Sequence, residues 1–217
     1  KKLFNFKYDN TILYAPSWEN DNKQQEFIES LKDIKCNLLI KQADWSDKYP
    51  HIQKNIQEME DYYKDKYEHV YTMDKKESIF HAIGLSDLLV SDESGVMLEA
   101  LILNVPSIAC IDWKIPDTSP PRNACVPFDH IKKIKKESLK DEVLKQLSIP
   151  KNKNQEISAH WFSNQGNAAQ VCLDIINKVN ENKLSDLDKT NLCSSQSASF
   201  FPIKQQFHFW KHKIRIS

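Results

Sequence analysis

An acid, a serine and a glycine separate an apolar run from a helical pattern in the stretch SDESGVMLEA at 91–100. Ser94 can cap the predicted helix through its hydroxyl, and Gly95 lets a ligand approach the backbone because it has no Cβ. The N–H groups of Gly95, Val96 and Met97 would then face that ligand at the positive end of the helix dipole. These residue types in this order predict an anion site that suits a phosphate group.

Glu99 lies one turn further along the same predicted helix. Its carboxylate could accept hydrogen bonds from the hydroxyl groups of a sugar. The alternative interpretation is that Ser94 and Gly95 form only a tight turn between strand and helix. One Ser-Gly pair is a weak motif, and the dinucleotide fingerprint GxGxxG is absent from the sequence.

Further chemically active side chains follow the predicted strands. Asp92 stands at a strand end, where it could orient the Ser94 loop or stabilise a turn. Asp112 and Trp113 follow the next predicted strand, and we expect them to line the same edge of the sheet as weaker candidates. Arg122 lies in the rigid loop SPPRNA and suits bidentate phosphate binding, with a solvated loop arginine as the alternative.

Strands and helices alternate along the chain as far as residue 112. Apolar runs predict strands at 11–15, 37–41, 69–74, 88–91 and 107–111. Helical spacing predicts helices at 23–33, 52–63, 75–83, 95–103, 139–147 and 167–179, with Gly84 as a C-cap and Ser138 as an N-cap. This order predicts an α/β fold, a Rossmann-like doubly wound parallel sheet joined by right-handed crossovers.

Composition argues against several classes of function. The 217 residues carry no formal net charge, so the chain lacks the overall positive charge that is typical of nucleic-acid-binding proteins. The five cysteines lack CxxC spacing, which indicates free thiols in a reducing compartment, and no His, Cys or Asp cluster has zinc-ligand spacing. No apolar run approaches the roughly 20 residues of a membrane-spanning helix. We expect no metal, no cofactor and no nucleic-acid partner.

Four segments, in order, resemble the carboxyl-terminal half of the CDP-glycerol glycerophosphotransferase family, whose members make teichoic-acid and capsule-like polymers. They are ILYAPSW at 12–18, SDLLVSDESGVMLEALILNVPSI at 86–108, DWKIPDTSPPR at 112–122 and NQGNAA at 164–169. The second segment is the most specific, because the family reads a strand, then (S/T)D-x-S-(S/G), then a helix there. The resemblance implies one half of a GT-B architecture, in which two Rossmann-like domains face a cleft.

The resemblance also implies roles for individual residues. Ser94 and Gly95 would contact the donor phosphate, and Glu99 would lie near the ribose or the transferred group. Together with the candidates argued from the residues themselves, the predicted donor-binding set is Ser94, Gly95, Val96, Glu99, Arg122 and Lys41. Asn167, at the start of the last predicted helix, would lie close to the same cleft. The nucleotide-activated donor, CDP-glycerol or a similar molecule, would be a substrate and not a cofactor.

One position departs from the family pattern. Family members carry a basic residue and then a histidine after the second strand, and that histidine serves the active site. Here Lys41 keeps the basic position, but Ala43 stands where the histidine is expected, and His51 is eight residues further on. The sequence therefore identifies no catalytic residue. We expect this fragment to be inactive without the amino-terminal GT-B domain that the resemblance implies as its partner.

The expected function is a donor-binding domain of a transferase. This enzyme would move a polyol-phosphate or sugar from a CDP- or UDP-activated donor to a cell-surface polymer. A non-catalytic binding or interaction domain on the same fold is an alternative, which Ala43 favours. A sugar-nucleotide epimerase, which shares the GT-B shape, is a second alternative.

The expected domain organisation is a Rossmann-like domain at 1–180, a polar linker at 181–199 and an aromatic, basic tail at 200–217. The tail would either bind an anionic membrane surface near a lipid-linked acceptor or pack onto the amino-terminal domain. The expected location is the cytoplasm, at the inner face of the membrane.

Overall fold

The computed structural model of the chain describes residues 4–19, 22–64, 66–149, 157–159, 161–162 and 164–181. Contacts between residues divide the chain into two units, Lys1–Phe162 and Ser163–Ser217. The predicted tail, and the predicted linker beyond Glu181, lie outside the described residues. The predicted domain boundaries therefore stay predictions.

The first unit contains the strands of the described residues. They are β1 (Thr11–Tyr14), β2 (Asn37–Ile40), β3 (Val70–Thr72), β4 (Leu88–Ser91), β5 (Ser107–Cys110), β6 (Lys114–Ile115), β7 (Arg122–Asn123) and β8 (Lys132–Ile134). The helices of this unit are α1 (Lys23–Leu31), α2 (Pro50–Tyr63), α3 (Ile79–Gly84), α4 (Val96–Ile102) and α5 (Leu139–Leu147), the last preceded by a 3-10 turn at Lys136–Ser138.

Six strands form one sheet in the order β3-β2-β1-β4-β5-β8, and β6 and β7 pair separately as an antiparallel hairpin. Every neighbouring pair in the large sheet is parallel. This is the order of a Rossmann-type sheet, in which the chain starts at the centre and builds outward in both directions. The predicted α/β fold with a doubly wound parallel sheet is confirmed.

The central strands are buried at every position, because helices cover both faces of a parallel sheet. Their sequences TILY, NLLI and LLVS therefore read as short continuous runs without alternation. Helix α1 packs Phe27, Ile28 and Leu31 into this core with no exposed surface. Each such side chain stabilises the fold by about 1.5–3 kcal/mol.

Strand β8 was not predicted, because its sequence looks like a charged surface run. Lys132 and Lys133 are exposed, while Ile134 is buried and pairs in register with Cys110 of β5. A single buried position in three residues gives no detectable period. The exposed lysines suit a strand at the edge of a sheet, since charge there discourages pairing with another chain.

Helix α3 begins later than predicted and does not use its glycine as a C-cap. Ser78 is the N-cap, and its hydroxyl accepts a hydrogen bond from the N–H of Phe80. Gly84 is the last helical residue and Leu85 is the C-cap. The predicted cap at Ser138 is correct in position, but its side chain makes no capping hydrogen bond.

The second unit contains helix α6 (Ala168–Asn180), which begins one residue after the predicted start. None of its residues is buried, and Leu173, Ile176 and Val179 are about half exposed. None of the helices in the described part of the chain is long and apolar enough to cross a membrane.

Candidate functional site

The strand order places a topological switch point between β1 and β4, where the chain leaves the centre of the sheet in opposite directions. Ligands of open α/β sheets bind in the crevice that forms beyond the carboxyl ends of the strands at such a point. Here the residues after β1, 15–19, and those after β4, 92–95, meet at this edge. Ser91 joins the two strand ends by donating its hydroxyl to the carbonyl of Ala15 at 2.7 Å.

Asp92 is buried beneath this crevice and does not line an open surface. One carboxylate oxygen accepts the N–H of Ser17 at 2.8 Å and the N–H of Glu93 at 2.7 Å. The other oxygen is 2.8 Å from the ammonium of Lys23, the first residue of α1. Asp92 therefore bonds to the backbone of both loops from below, and it does not line the cleft, where it was expected as a weaker candidate.

The N-cap of α4 is Gly95, so the predicted cap at Ser94 is one residue too early. The hydroxyl of Ser94 accepts the N–H of Val96 at 3.4 Å, and its carbonyl accepts the N–H of Met97 at 3.3 Å. Two of the three N–H groups expected to face a ligand are thus already bonded to Ser94. The distances are long for N–H···O bonds, so an incoming anion would compete with weak partners.

Gly95 is not required by the conformation of the chain itself. Its φ of −61° is accessible to any residue, and an added Cβ would meet nothing within 4 Å. The space beside Gly95 is therefore open, as an approaching ligand would need. Ligand contact at Gly95 stays a prediction.

Arg122, from the hairpin strand β7, is bonded to two carboxylates. Its two terminal nitrogens contact the two oxygens of Glu93 at 2.6 and 2.7 Å, and one also contacts Asp117 at 2.7 Å. These bonds raise the pKa of Arg122 further above its ordinary value. Glu93 also accepts the N–H of Cys125 at 2.8 Å. A phosphate that binds the two terminal nitrogens of Arg122 would have to replace at least one of these carboxylates.

Lys41 stands at the carboxyl end of β2 and is nearly buried. Its ammonium donates to the carbonyls of Gln42 and Lys75, each at 2.8 Å. Burial lowers the pKa of Lys41. These bonds tie the end of β2 to the loop after β3, so the ammonium would have to leave them to reach a phosphate.

The other predicted site residues are dispersed. Glu99 is half-buried on α4, and the carboxylate of Asp112 accepts the N–H of Lys136 at 3.0 Å. Trp113 was expected at the cleft, but it is 2% exposed, packs against Tyr14 and belongs to the core. Asn167 precedes α6 in the second unit, and its side chain makes no capping bond.

A buried polar network beside the switch point was missed by the sequence analysis. The Glu19 carboxylate accepts hydrogen bonds from the hydroxyl of Tyr14, from the side-chain amide of Gln42 at 3.0 Å, and from the N–H of Gln24 at 3.2 Å. Burial raises the pKa of Glu19, and these bonds oppose that rise. An acid in a loop normally indicates solvent exposure, so no local signal distinguished Glu19.

An open depression of about 600 Å³ lies beyond the carboxyl ends of β2 and β3. Ala43, at the position where a histidine was expected, lines it together with Trp45, Gln53 and Glu60. Burial raises the pKa of Glu60. Within the described residues, no group of three or more His, Cys, Asp or Glu side chains could hold a metal ion.

The sequence pattern of CDP-glycerol:poly(glycerophosphate) glycerophosphotransferases matches residues 2–120, more than half of the chain. The chain belongs to this family. The matched region contains β1 to β6, and with them both loops of the switch point. None of the curated proteins that were compared with the chain matches it.

Solved structures with the same fold include a histidine-to-asparagine variant of the wall teichoic acid polymerase TagF, with a TM-score of 0.52, 17% identity, and 84% of this chain matched to 47% of that one. A UDP-GlcNAc 2-epimerase from Neisseria meningitidis, bound to UDP-GlcNAc, has a TM-score of 0.50 and 16% identity over 79% of this chain and 45% of that one. Anabaena HepE in complex with UDP-glucose has a TM-score of 0.51 and 13% identity, with 80% and 49% covered. This chain thus spans less than half the length of each GT-B-like neighbour.

Proposed function

We propose that this chain is the nucleotide-donor-binding domain of a glycerophosphotransferase-like enzyme. The enzyme would transfer a polyol-phosphate or sugar from a CDP- or UDP-activated donor to a hydroxyl of a growing cell-surface polymer. The observation that carries the proposal is the switch point between β1 and β4, which lies in the segment that matches the family.

The proposed chemistry needs a site that stabilises the negative charge of the departing nucleotide phosphate. The N–H of Gly95 and the hydroxyl of Ser94 would face this phosphate, and Arg122 would supply a guanidinium after release from Glu93. The carboxylate of Glu99 would accept a hydrogen bond from a hydroxyl group of the ribose or of the transferred group. A base from outside the residues assigned here would activate the acceptor hydroxyl.

Two related folds support a nucleotide ligand, since the UDP-GlcNAc 2-epimerase holds UDP-GlcNAc and HepE holds UDP-glucose. TagF, which acts as a wall teichoic acid polymerase, supports a polymer acceptor. Because this chain spans less than half of each of these proteins, the acceptor would be held with the help of the amino-terminal domain.

A non-catalytic binding domain is the second candidate. Ala43 is exposed where the family pattern places a histidine, and it has no ionisable group. The only cation in the β6–β7 hairpin that contacts the switch-point loops, among the described residues, is Arg122, which two carboxylates neutralise. This candidate keeps nucleotide or polymer binding but predicts no transfer.

The test is a calorimetric titration of the chain with CDP-glycerol, UDP-GlcNAc, CDP and UDP, followed by a transfer assay on the longer gene product. We expect binding of a CDP ligand that weakens about tenfold in Ser94→Ala, with Ser46→Ala as a control on the β2–α2 loop. Turnover excludes the non-catalytic candidate, and release of an altered UDP-sugar without acceptor would indicate an epimerase. No binding by the folded chain to any of the four ligands would contradict the donor-site proposal.

A further inference from the structure

A fully buried ion pair lies under the switch-point crevice. The ammonium of Lys23 is 2.8 Å from the carboxylate of Asp92, and both side chains are completely shielded from solvent. Lys23 begins α1 and Asp92 follows β4, so the pair joins elements that are 69 residues apart in the sequence.

The pair is a poor choice for stability alone. Two charges lose their hydration when they are buried, and their mutual attraction roughly offsets this loss. Apolar side chains of similar size would stabilise such a position equally well or better. A buried pair is therefore better explained by the geometry that it imposes, provided that it holds something in place.

The groups that the pair holds are the two loops of the crevice. Lys23 donates to the carbonyl of Trp18 at 2.9 Å, and Asp92 accepts the N–H of Ser17 at 2.8 Å. The same carboxylate accepts the N–H of Glu93 at 2.7 Å. Every bond of the pair thus ends on backbone of the β1–α1 loop or of the β4–α4 loop, and not on the core.

One hydroxyl in the held loops lacks a partner. Ser17 Oγ is buried and, within the described part of the chain, makes no hydrogen bond. A buried hydroxyl without a bond is unfavourable, so such groups in native structures call for an explanation. The residue as a whole is partly exposed, so a rotation about χ1 would bring this hydroxyl to a ligand oxygen at the crevice and satisfy it.

We infer that Lys23 and Asp92 are positioning residues that set the distance between the two crevice loops, so that the Ser17 hydroxyl and the Glu93–Ser94 turn bind one phosphate-bearing ligand together. This inference rests on the proposed donor site. It adds Ser17 as a binding residue and gives a role to two charges that never touch the ligand.

The first experiment uses the double variant K23M/D92L in the full chain, which exchanges the ion pair for apolar side chains. We expect cooperative unfolding at a temperature close to that of the wild type, at least tenfold weaker binding of CDP-glycerol, and faster hydrogen exchange at the amides of Ser17 and Glu93. Lys32→Met, which removes a charge at the other end of α1, should change neither the affinity nor these amides.

The second experiment uses Ser17→Ala, which breaks no hydrogen bond among the residues that the structure describes. We expect an unchanged unfolding temperature and a severalfold loss of CDP-glycerol affinity that Ser17→Thr restores. If K23M/D92L keeps slow exchange at both amides, or wild-type affinity, the positioning role is wrong. If Ser17→Ala binds as the wild type does, Ser17 is not a ligand residue. A different result would contradict the donor site instead. In that result the wild-type chain binds none of the nucleotides, while the amides of Ser17 and Glu93 exchange faster in the double variant.

Discussion

At the scale of single residues, charged groups at the crevice are already engaged in the free chain. Glu93 occupies the guanidinium of Arg122 with both oxygens, while Asp92 and Lys23 satisfy each other below. Fork-shaped pairing of this kind is the geometry that a phosphate would also adopt with arginine. Glu93 therefore acts as an internal anion, and a phosphate that bound the two terminal nitrogens of Arg122 would have to displace it.

Glu93→Gln should strengthen binding of CDP, because it removes the negative charge that competes for Arg122. The expected gain is about threefold, equivalent to about 0.6 kcal/mol, since the pair is partly exposed. Calorimetric titration measures it, with Glu58→Gln on α2 as a control that removes one distant negative charge. Unchanged affinity in both Glu93→Gln and Arg122→Ala would show that Arg122 does not contact the ligand.

Glu19 should make the stability of the chain depend on pH. Burial raises the pKa of Glu19, so between the unfolded and folded pKa values the folded chain binds more protons than the unfolded chain. Stability from this group is therefore greatest below that window and falls as the pH rises through it. The free energy of unfolding of the wild type, minus that of Glu19→Gln, should decrease as the pH rises above the ordinary glutamate pKa of about 4.3.

Urea unfolding at several pH values measures this difference. Glu29→Gln is the matched control, because hydrogen bonding to Lys32 lowers the pKa of Glu29 and the corresponding difference should increase with pH. A difference for Glu19 that is flat, or that rises with pH, would contradict the expected sign.

At the scale of elements, α1 is the helix that joins the crevice to the rest of the fold. Its first residue, Lys23, reaches the β4 end, and Glu26 accepts the indole N–H of Trp113 at 2.8 Å and contacts the ammonium of Lys136. The loops after β5 and β8 are thereby anchored to the same helix. Trp113 serves this anchoring, which explains why it is in the core and not at the cleft.

Trp113→Phe should lower stability without changing nucleotide affinity. The smaller ring loses the hydrogen bond to Glu26 and part of the contact with Tyr14, a cost of about 1–3 kcal/mol. Urea unfolding and calorimetric titration measure the two quantities. Trp45→Phe, on the half-exposed rim of the depression, is the control for stability. If Trp113→Phe bound the nucleotide more weakly at unchanged stability, Trp113 would contribute to nucleotide binding and the expected result would be wrong.

At the scale of the whole molecule, all six strands of the large sheet lie within the first unit, and α6 lies in the second. The buried apolar cluster is built from residues between Ile12 and Val143. The first unit therefore has its own core, whereas α6 has no buried residue.

A chain that ends at Phe162 should fold on its own, because it keeps the complete sheet and core. We expect it to unfold cooperatively at a temperature within a few degrees of that of the full chain, as measured by circular dichroism. If Asn167 binds the donor, the shortened chain and full-length Asn167→Ala should lose CDP-glycerol affinity by the same factor, about 2- to 13-fold for one hydrogen bond. If the shortened chain and Asn167→Ala both bound CDP-glycerol with wild-type affinity, Asn167 would not be a binding residue.

The sequence by itself determined the alternation of elements from β1 to β5 and hence the parallel pairing of those strands. Continuous apolar runs mark strands such as Leu88–Ser91 because a central parallel strand is buried on both faces. Alternation with helices then fixes parallel pairing and the handedness of the crossovers. Strand β8 escaped prediction because only one of its three residues is buried.

Only the tertiary structure decided which charged groups meet. Lys23 and Asp92 are 69 residues apart, and Arg122 and Glu93 are 29 apart, so no local spacing links them. Periodicity reports which side of an element faces the core, but the partner of a polar side chain depends on which strand ends become neighbours. The order β3-β2-β1-β4-β5-β8 brings those loops together and buries Lys23 and Asp92 beneath them. It also places Glu93 against Arg122, the residue that the sequence predicted to bind a phosphate.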